Sequence, residues 1–295
     1  MNVVDAHHHL WDLKANYYPW LVDRVTKRVC GEYSAIRRDY LIADYLRDIA
    51  ARPVAKSVHV QAEHDDRDPV RETRWLQSIA DDVAASRGFP HGIVGYADLA
   101  AEDALAVLEG HCRYRNIRGI RQSLNGVLDR PESRDLLHHP AWRKQLPLLA
   151  RFGLSYDLQI YPAQMADMTD AVRANEKLQF ILCHAGLPSD RSSAGLELWR
   201  HGMHSLAELP NVAVKISGFG MFDRAWTTES IRPLVLETID TFGVDRCMFA
   251  SNFPVDGMAA SYDRIWQAFD VITRAFATGE RSALFHDNAS RYYRL

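Results

Sequence analysis

Eight short runs of β-branched and aliphatic residues, separated by longer stretches with helical periodicity, constrain this chain more than any other feature. The runs are Val3–His7, Ser57–Glu63, Gly92–Leu99, Ile117–Ser123, Leu154–Ile160, Gln179–His184, Val212–Ser217 and Cys247–Asn252. Between them, Leu76, Ile79, Ala80 and Val83 recur at helical spacing, as do Leu105, Leu108 and Cys112. Leu146, Leu149 and Ala150 repeat the pattern, and Leu234, Ile239 and Phe242 follow it more loosely. Gly153, Pro210-Asn211 and Gly243 punctuate the boundaries. Eight strands alternating with helices over 295 residues is the count for a closed (β/α)8 TIM barrel. An open doubly wound sheet would carry a glycine-rich phosphate turn after its first strand. Here that strand runs into His7-His8-His9 instead. Without an internal repeat, low-complexity tract or linker, residues 1–295 read as one α/β barrel domain. The connection from Leu10 to Arg38 is long and aromatic, and reads as a lid or an interface at the barrel mouth.

Charge and apolar content narrow the class. Lys and Arg number 35 against 38 Asp and Glu, a net −3, which lacks the basic excess of a nucleic-acid binder. The longest unbroken apolar run, Ala104 to Leu108, is too short for a membrane span or a signal-peptide core. Cys30, Cys112, Cys183 and Cys247 form no short-spaced pair, so neither a disulfide framework nor a thiolate zinc site is expected. These features predict a cytoplasmic protein acting on a small molecule, with homo-oligomerisation left open.

The chemistry-bearing residues fall at the ends of the expected strands. Alternation along a strand sends His7 and His9 one way and His8 the other, so two imidazoles aim into the mouth. His184 closes the apolar run Phe180-Ile181-Leu182-Cys183 and precedes Ala185-Gly186. Three converging neutral imidazoles either hold zinc with an open position or act without metal to polarise a carbonyl. On the last strand Asn252 stands where a hydrolase would want a carboxylate, and an amide can neither take a proton nor carry charge. Asp256 lies four residues on, past Pro254, and requires a turn to reach the mouth. Lys215 and Ser217 alternate with apolar Val214 and Ile216 and are expected to face inward. Such a lysine is either paired or desolvated and able to form a Schiff base. Arg121 suits a carboxylate or a polyhydroxylated ring by its fork of donors, or a structural salt bridge. Gln61, Asp157 and Gln159 are further inward polar candidates.

Val4-Asp5-Ala6-His7-His8-His9-Leu10-Trp11-Asp12, Tyr18-Pro19-Trp20-Leu21, His184-Ala185-Gly186, Val214-Lys215-Ile216-Ser217-Gly218 and Ser251-Asn252-Phe253-Pro254-Val255-Asp256 together resemble the amidohydrolase-related family-2 barrels. The nearest group is the sugar-lactone and 2-pyrone-4,6-dicarboxylate lactonases. The resemblance implies a metal-dependent-hydrolase-like TIM barrel with its site at the C-terminal mouth. His7 and His9 match the His-x-His of the first strand, and His184 matches the sixth-strand histidine. In the lactonases these polarise the substrate carbonyl, several members without a metal. Related decarboxylases carry a further fifth-strand zinc ligand, whereas this strand reads Tyr156-Asp157-Leu158-Gln159-Ile160. Family hydrolases have Asp at the position of Asn252, where it activates water.

These readings predict a hydrolase opening a small lactone or cyclic ester. His7, His9 and His184 would stabilise the oxyanion, Asp256 would be the general base, and Asn252 would hold water or substrate. Arg121, Lys215, Gln61, Trp11 and Asp157 make up the expected substrate-binding set. No cofactor is required; zinc, if bound, would sit weakly on His7, His9 and His184. Two alternatives stand beside this one. The first is a lyase, either a decarboxylase or a Schiff-base aldolase through Lys215; the second is a small-molecule binder without catalysis.

Overall fold

The computed structural model describes residues 1–23, 30–126 and 134–295. Eight parallel strands follow one another in chain order: β1 (Val3–His8), β2 (Val54–Val60), β3 (Gly92–Gly95), β4 (Ile117–Ile120), β5 (Ser155–Leu158), β6 (Phe180–Leu182), β7 (Val212–Ile216) and β8 (Cys247–Phe249). Each pairs with the next in parallel, for example Val58 with Gly92 and Lys215 with Met248. Past the end of β8 the chain rejoins β1: Asn252 N–H donates to His7 C=O at 2.8 Å and His9 N–H to Phe253 C=O at 2.7 Å. The residues that bring the barrel to closure are therefore the motif residues of its first and last strands.

Among the described residues the longer helices on the outside are α1 (Ile42–Asp48), α2 (Pro69–Asp81), α3 (Ala104–Cys112), α4 (Pro140–Arg151), α5 (Met165–Arg173), α6 (Ser193–Ala207), α7 (Thr228–Phe242) and α8 (Tyr262–Ile272). Their starts are set locally. Ser192, Thr227 and Ser261 accept from the first-turn N–H groups of α6, α7 and α8. Gly243 closes α7 at φ 78°, where a side chain would be strained. Of the apolar stripes read from the sequence, Leu76, Leu108, Leu146, Leu149, Leu234 and Ile239 are buried, whereas Val83, Leu105 and Cys112 turn to the surface.

Inside the barrel, Val4, Ala6, Val58, Val60, Val94, Ile181, Ala213, Met248 and Ala250 form a second, smaller core. A last helix, α9 (Asn288–Tyr293), fills its base with Ala289 and Tyr293. The strand register shifts at three places, between Val3 and Val4, between Ile93 and Val94, and between Asp5 and His8, and the last of these matters to the site. Between Asp5 and His8 the first strand advances three residues while β2 advances two (Asp5 opposite Ser57, His8 opposite His59). This bulge turns Asp5 outward to Tyr45 of α1 and Tyr262 of α8, while His7 still points inward.

Several expected strands end early. His184, Asn252 and Glu63 have φ of 56°, 54° and 55°, left-handed conformations that leave the strand and begin the mouth. The Leu10–Arg38 connection lies partly outside the described residues. Its described part is packed down: Tyr18 and Tyr33 are buried, and Trp11 pairs with Tyr40 in a short antiparallel bridge.

Candidate active site

The mouth holds a cleft with about 520 Å³ of space free of protein atoms, part of it open to solvent. His9, Arg121, Gln159, His184 and Asn252 line its polar side, and Trp20, Met221 and Val255 its apolar side. A second, more polar hollow adjoins it, sharing Trp20 and Glu63 and bounded by Gln61, Tyr96 and Arg134.

Each functional side chain is held from behind. His9 Nδ1 lies 2.7 Å from Val60 C=O; a carbonyl only accepts, so Nδ1 carries the proton. His7 sits between His9 and Lys215, with Nε2 3.3 Å from His9 Nε2 and Nδ1 3.4 Å from Lys215 Nζ. His184 Nδ1 meets Ser217 Oγ at 2.9 Å, and its ring packs 4.5 Å from that of His7. The left-handed backbone at His184 needs Gly218 beside it, because a Cβ there would come within 2.8 Å of the imidazole. Strain of this kind, in a site over-determined by its surroundings, is characteristic of functional positions.

The charges follow from burial. His7, His9 and His184 are each held well below the ordinary histidine range, first by desolvation and then by the cations Lys215 and Arg121. All three rings are therefore neutral at pH 7. Arg121 is buried and always charged. It donates to Gln159 Oε1 at 2.9 Å and to Gln61 C=O at 2.5 Å, while its Nε–H, also buried, has no partner. Among the described residues no carboxylate forms an ion pair with it. A buried cation lining a cleft without a carboxylate partner favours an anionic oxygen.

Lys215 is wholly buried and forms its ion pair with Asp157 at 2.6 Å, and Tyr293 O–H donates to both oxygens of Asp157 at 3.0 and 2.8 Å. His9 and His184 line the cleft but His7, Lys215 and Asp157 do not, so these last three stand behind its wall rather than against a substrate. Trp11 is buried with its ring stacked against His9 and its N–H on Arg38 C=O, again away from the cleft. Gln61 lines only the adjoining hollow. Asp256 does turn back: its N–H donates to Asn252 C=O at 3.0 Å and its Oδ1 accepts from Asn252 Nδ2 at 3.1 Å. It stands one side chain behind the cleft wall, and burial pushes its carboxyl up to about 7, against the pull of the Asn252 amide. Glu63, Ser217's contact with His184 and the Tyr293 phenol went unmarked in the sequence. Glu63 was open to notice as a carboxylate two residues beyond Gln61 at a strand end. Tyr293 sits on a terminal helix, where no spacing rule points to a barrel interior.

The amidohydrolase family model matches residues 4–295. This chain belongs to the amidohydrolase family. Two relatives match it end to end. The uncharacterized protein y4mH of Sinorhizobium fredii is 50% identical, the match covering 99% of this chain and 98% of that one. An L-fucono-1,5-lactonase of Burkholderia multivorans is 30% identical, covering 99% and 96%. Among solved structures, an amidohydrolase from Burkholderia multivorans with bound zinc superposes with a TM-score of 0.83 at 28% identity, covering 100% of both chains.

That zinc raises the question of fit. The 3.3 Å between the Nε2 atoms of His7 and His9 is close to the edge of a tetrahedral zinc site, about 3.4 Å for bonds of 2.0–2.1 Å. A catalytic zinc needs three protein ligands, and among the described residues no group of three His, Cys, Asp or Glu side chains is arranged to hold a metal. Lys215 on the far side of His7 opposes it further. Among the described residues the His7–His9 pair stands at zinc-edge spacing with no third ligand arranged beside it. No helix among the described residues is long and apolar enough to cross a membrane.

Proposed function

We propose that this amidohydrolase hydrolyses a small hydroxylated lactone of the sugar-lactone class, in the cytoplasm and without a resident metal. The observation that carries the reading is the buried cation Arg121, without a carboxylate partner among the described residues, lining one cleft with the neutral imidazoles of His9 and His184. The end-to-end similarity to an L-fucono-1,5-lactonase supports the substrate class.

In this mechanism the lactone carbonyl oxygen lies toward Arg121. The cation stabilises the oxyanion; one good preorganised donor at such a site is worth about 3–4 kcal/mol. His184 acts with its proton on the Nδ1 that meets Ser217 Oγ at 2.9 Å, so that its Nε2 lone pair takes a proton from the attacking water. The water oxygen bonds to the carbonyl carbon, and the carbonyl π pair moves onto oxygen. Collapse then breaks the ring C–O bond, and His184 returns the proton to the departing alkoxide, giving the open hydroxy acid. Asn252, its amide nitrogen tied to Asp256, offers its carbonyl oxygen to hold the water. His9 walls the cleft with its tautomer fixed by Val60. Asp256 serves here as a positioning group, since Asn252 stands between it and the cleft.

The test is turnover of a lactone panel followed by proton release and NMR. Sugar 1,5- and 1,4-lactones should be opened with kcat/KM of about 10⁴ M⁻¹s⁻¹ or more. Binding without turnover across the panel, or release of carbon dioxide from aromatic acids instead, would overturn this reading. The Schiff-base route is disfavoured by the Lys215–Asp157 pair and by the absence of Lys215 from the cleft lining.

A further inference from the structure

Beneath the cleft five groups form one row through the barrel interior. Tyr293 O–H donates to Asp157, Asp157 pairs with Lys215 at 2.6 Å, and Lys215 Nζ faces His7 Nδ1 at 3.4 Å. His7 Nε2 then meets His9 Nε2 at 3.3 Å, and His9 Nδ1 ends the row on Val60 C=O at 2.7 Å. The two ends of the histidine pair have fixed polarity, because an ammonium has no lone pair and a carbonyl has no proton. Starting from Val60, His9 must carry its proton on Nδ1, which leaves its Nε2 bare. The contact between the two Nε2 atoms then needs the proton of His7. With its proton on Nε2, neutral His7 turns a bare Nδ1 toward the ammonium. Every link agrees with one arrangement of protons.

We infer that Lys215, held by Asp157 and Tyr293, fixes the proton of the His7–His9 pair on His7 Nε2 and thereby keeps a metal ion out of that pair. The spacing of the two nitrogens does not exclude a metal; the proton between them does. To free both Nε2 lone pairs, the proton of His7 would have to move to Nδ1. There its N–H would point at an ammonium 3.4 Å away, in an interior with no room for water to relax the clash. Asp157 and the Tyr293 phenol are what hold the ammonium in that position: Asp157 fixes the nitrogen, and the Tyr293 ring packs 5.0 Å from it. Asp157 and Tyr293 are thus positioning residues acting through Lys215. The inference concerns the protons and the metal preference of the pair, and stands apart from the reaction proposed above.

Two measurements test it, neither using a substrate. In protein labelled with ¹⁵N-histidine, long-range ¹H–¹⁵N NMR at pH 7 distinguishes the two tautomers of each ring. His7 is expected with its proton on Nε2 and His9 with its proton on Nδ1. A spectrum placing the His7 proton on Nδ1 would overturn the inference, and this readout needs no variant. The second is equilibrium dialysis against zinc alone. Lys215→Met combined with Asp157→Asn removes both charges, so the interior is left without an unpaired ion. That double variant should bind one zinc at least tenfold more tightly than the natural chain, and adding His9→Asn should abolish the gain. Zinc bound no more tightly by the double variant, or a gain that survives His9→Asn, would overturn it.

Discussion

His184 packs against Gly218 and Asp256 against Gly220, yet burial acts on the two side chains with opposite sign. Desolvation raises the carboxyl of Asp256 to about 7 and depresses the imidazole of His184, because in each case the charged form is the one disfavoured. Two predictions at this scale follow from the proposed roles. His184→Ala should lower kcat by about two to three orders of magnitude while leaving the fold intact, read by steady-state kinetics and circular dichroism. For Asp256 the carboxylate, not the acid, is the better acceptor for the Asn252 amide. Lactone hydrolysis should therefore rise with pH through about 7 and level off above it. Asp256→Asn should remove that rise and cost roughly tenfold in kcat; a loss beyond a thousandfold would make Asp256 itself the proton acceptor.

Elements position these residues through a few close approaches. The loop after β7 passes so near the loop after β6 that Gly218, at φ 79°, has no room for a methyl group against the His184 ring. Gly218→Ala should displace that imidazole, cutting kcat at least tenfold and costing about 1–3 kcal/mol in urea unfolding. Full activity in this variant would show that the ring tolerates movement. The same comparison of elements shows what the sequence made legible. All eight strands stand within a few residues of their expected places, because buried parallel strands are continuous apolar runs. The inward set on β5 and β7, Asp157, Lys215 and Ser217, follows from alternation alone. Alternation could not reveal the bulge between Asp5 and His8, since an inserted residue depends on the register of the neighbouring strand. Nor could it indicate that Asp256 stops behind Asn252, or that Tyr293 reaches Asp157 from 136 residues away. Those contacts depend on how loops and a terminal helix settle against the barrel.

Across the whole molecule the same burial shapes the response to acid. His7, His8, His9, His59, His64, His91, His111 and His184 are all depressed, chiefly by desolvation. Their unfolded forms take up protons near pH 6.5 while the folded forms do not, so stability falls as pH drops below about 6.5. Asp5, Glu72 and Asp256 act in the opposite sense, their contribution present at low pH and lost as pH rises through the folded values, about 7 for Glu72 and Asp256. The histidines outnumber them. The midpoint of urea unfolding should therefore fall steadily from pH 7 to pH 5, and a flat or rising midpoint would contradict the burial of these rings. Glu72→Gln keeps the carbonyl that accepts from Ala62 N–H and removes the carboxylate that burial disfavours, so it should stabilise the protein at pH 8 and matter little at pH 4.

Closure of the barrel carries one more consequence. The amides that tie the last strand to the first, those of His9 and Asn252, belong to residues that also wall the cleft. A breathing motion that parts this seam must also dismantle the place where substrate sits. Occupancy and seam integrity are then two faces of one equilibrium. A bound ligand gripping Asn252 would act as a latch, and solvent exchange at these two amides would slow as the site fills, long before any distant helix felt its presence.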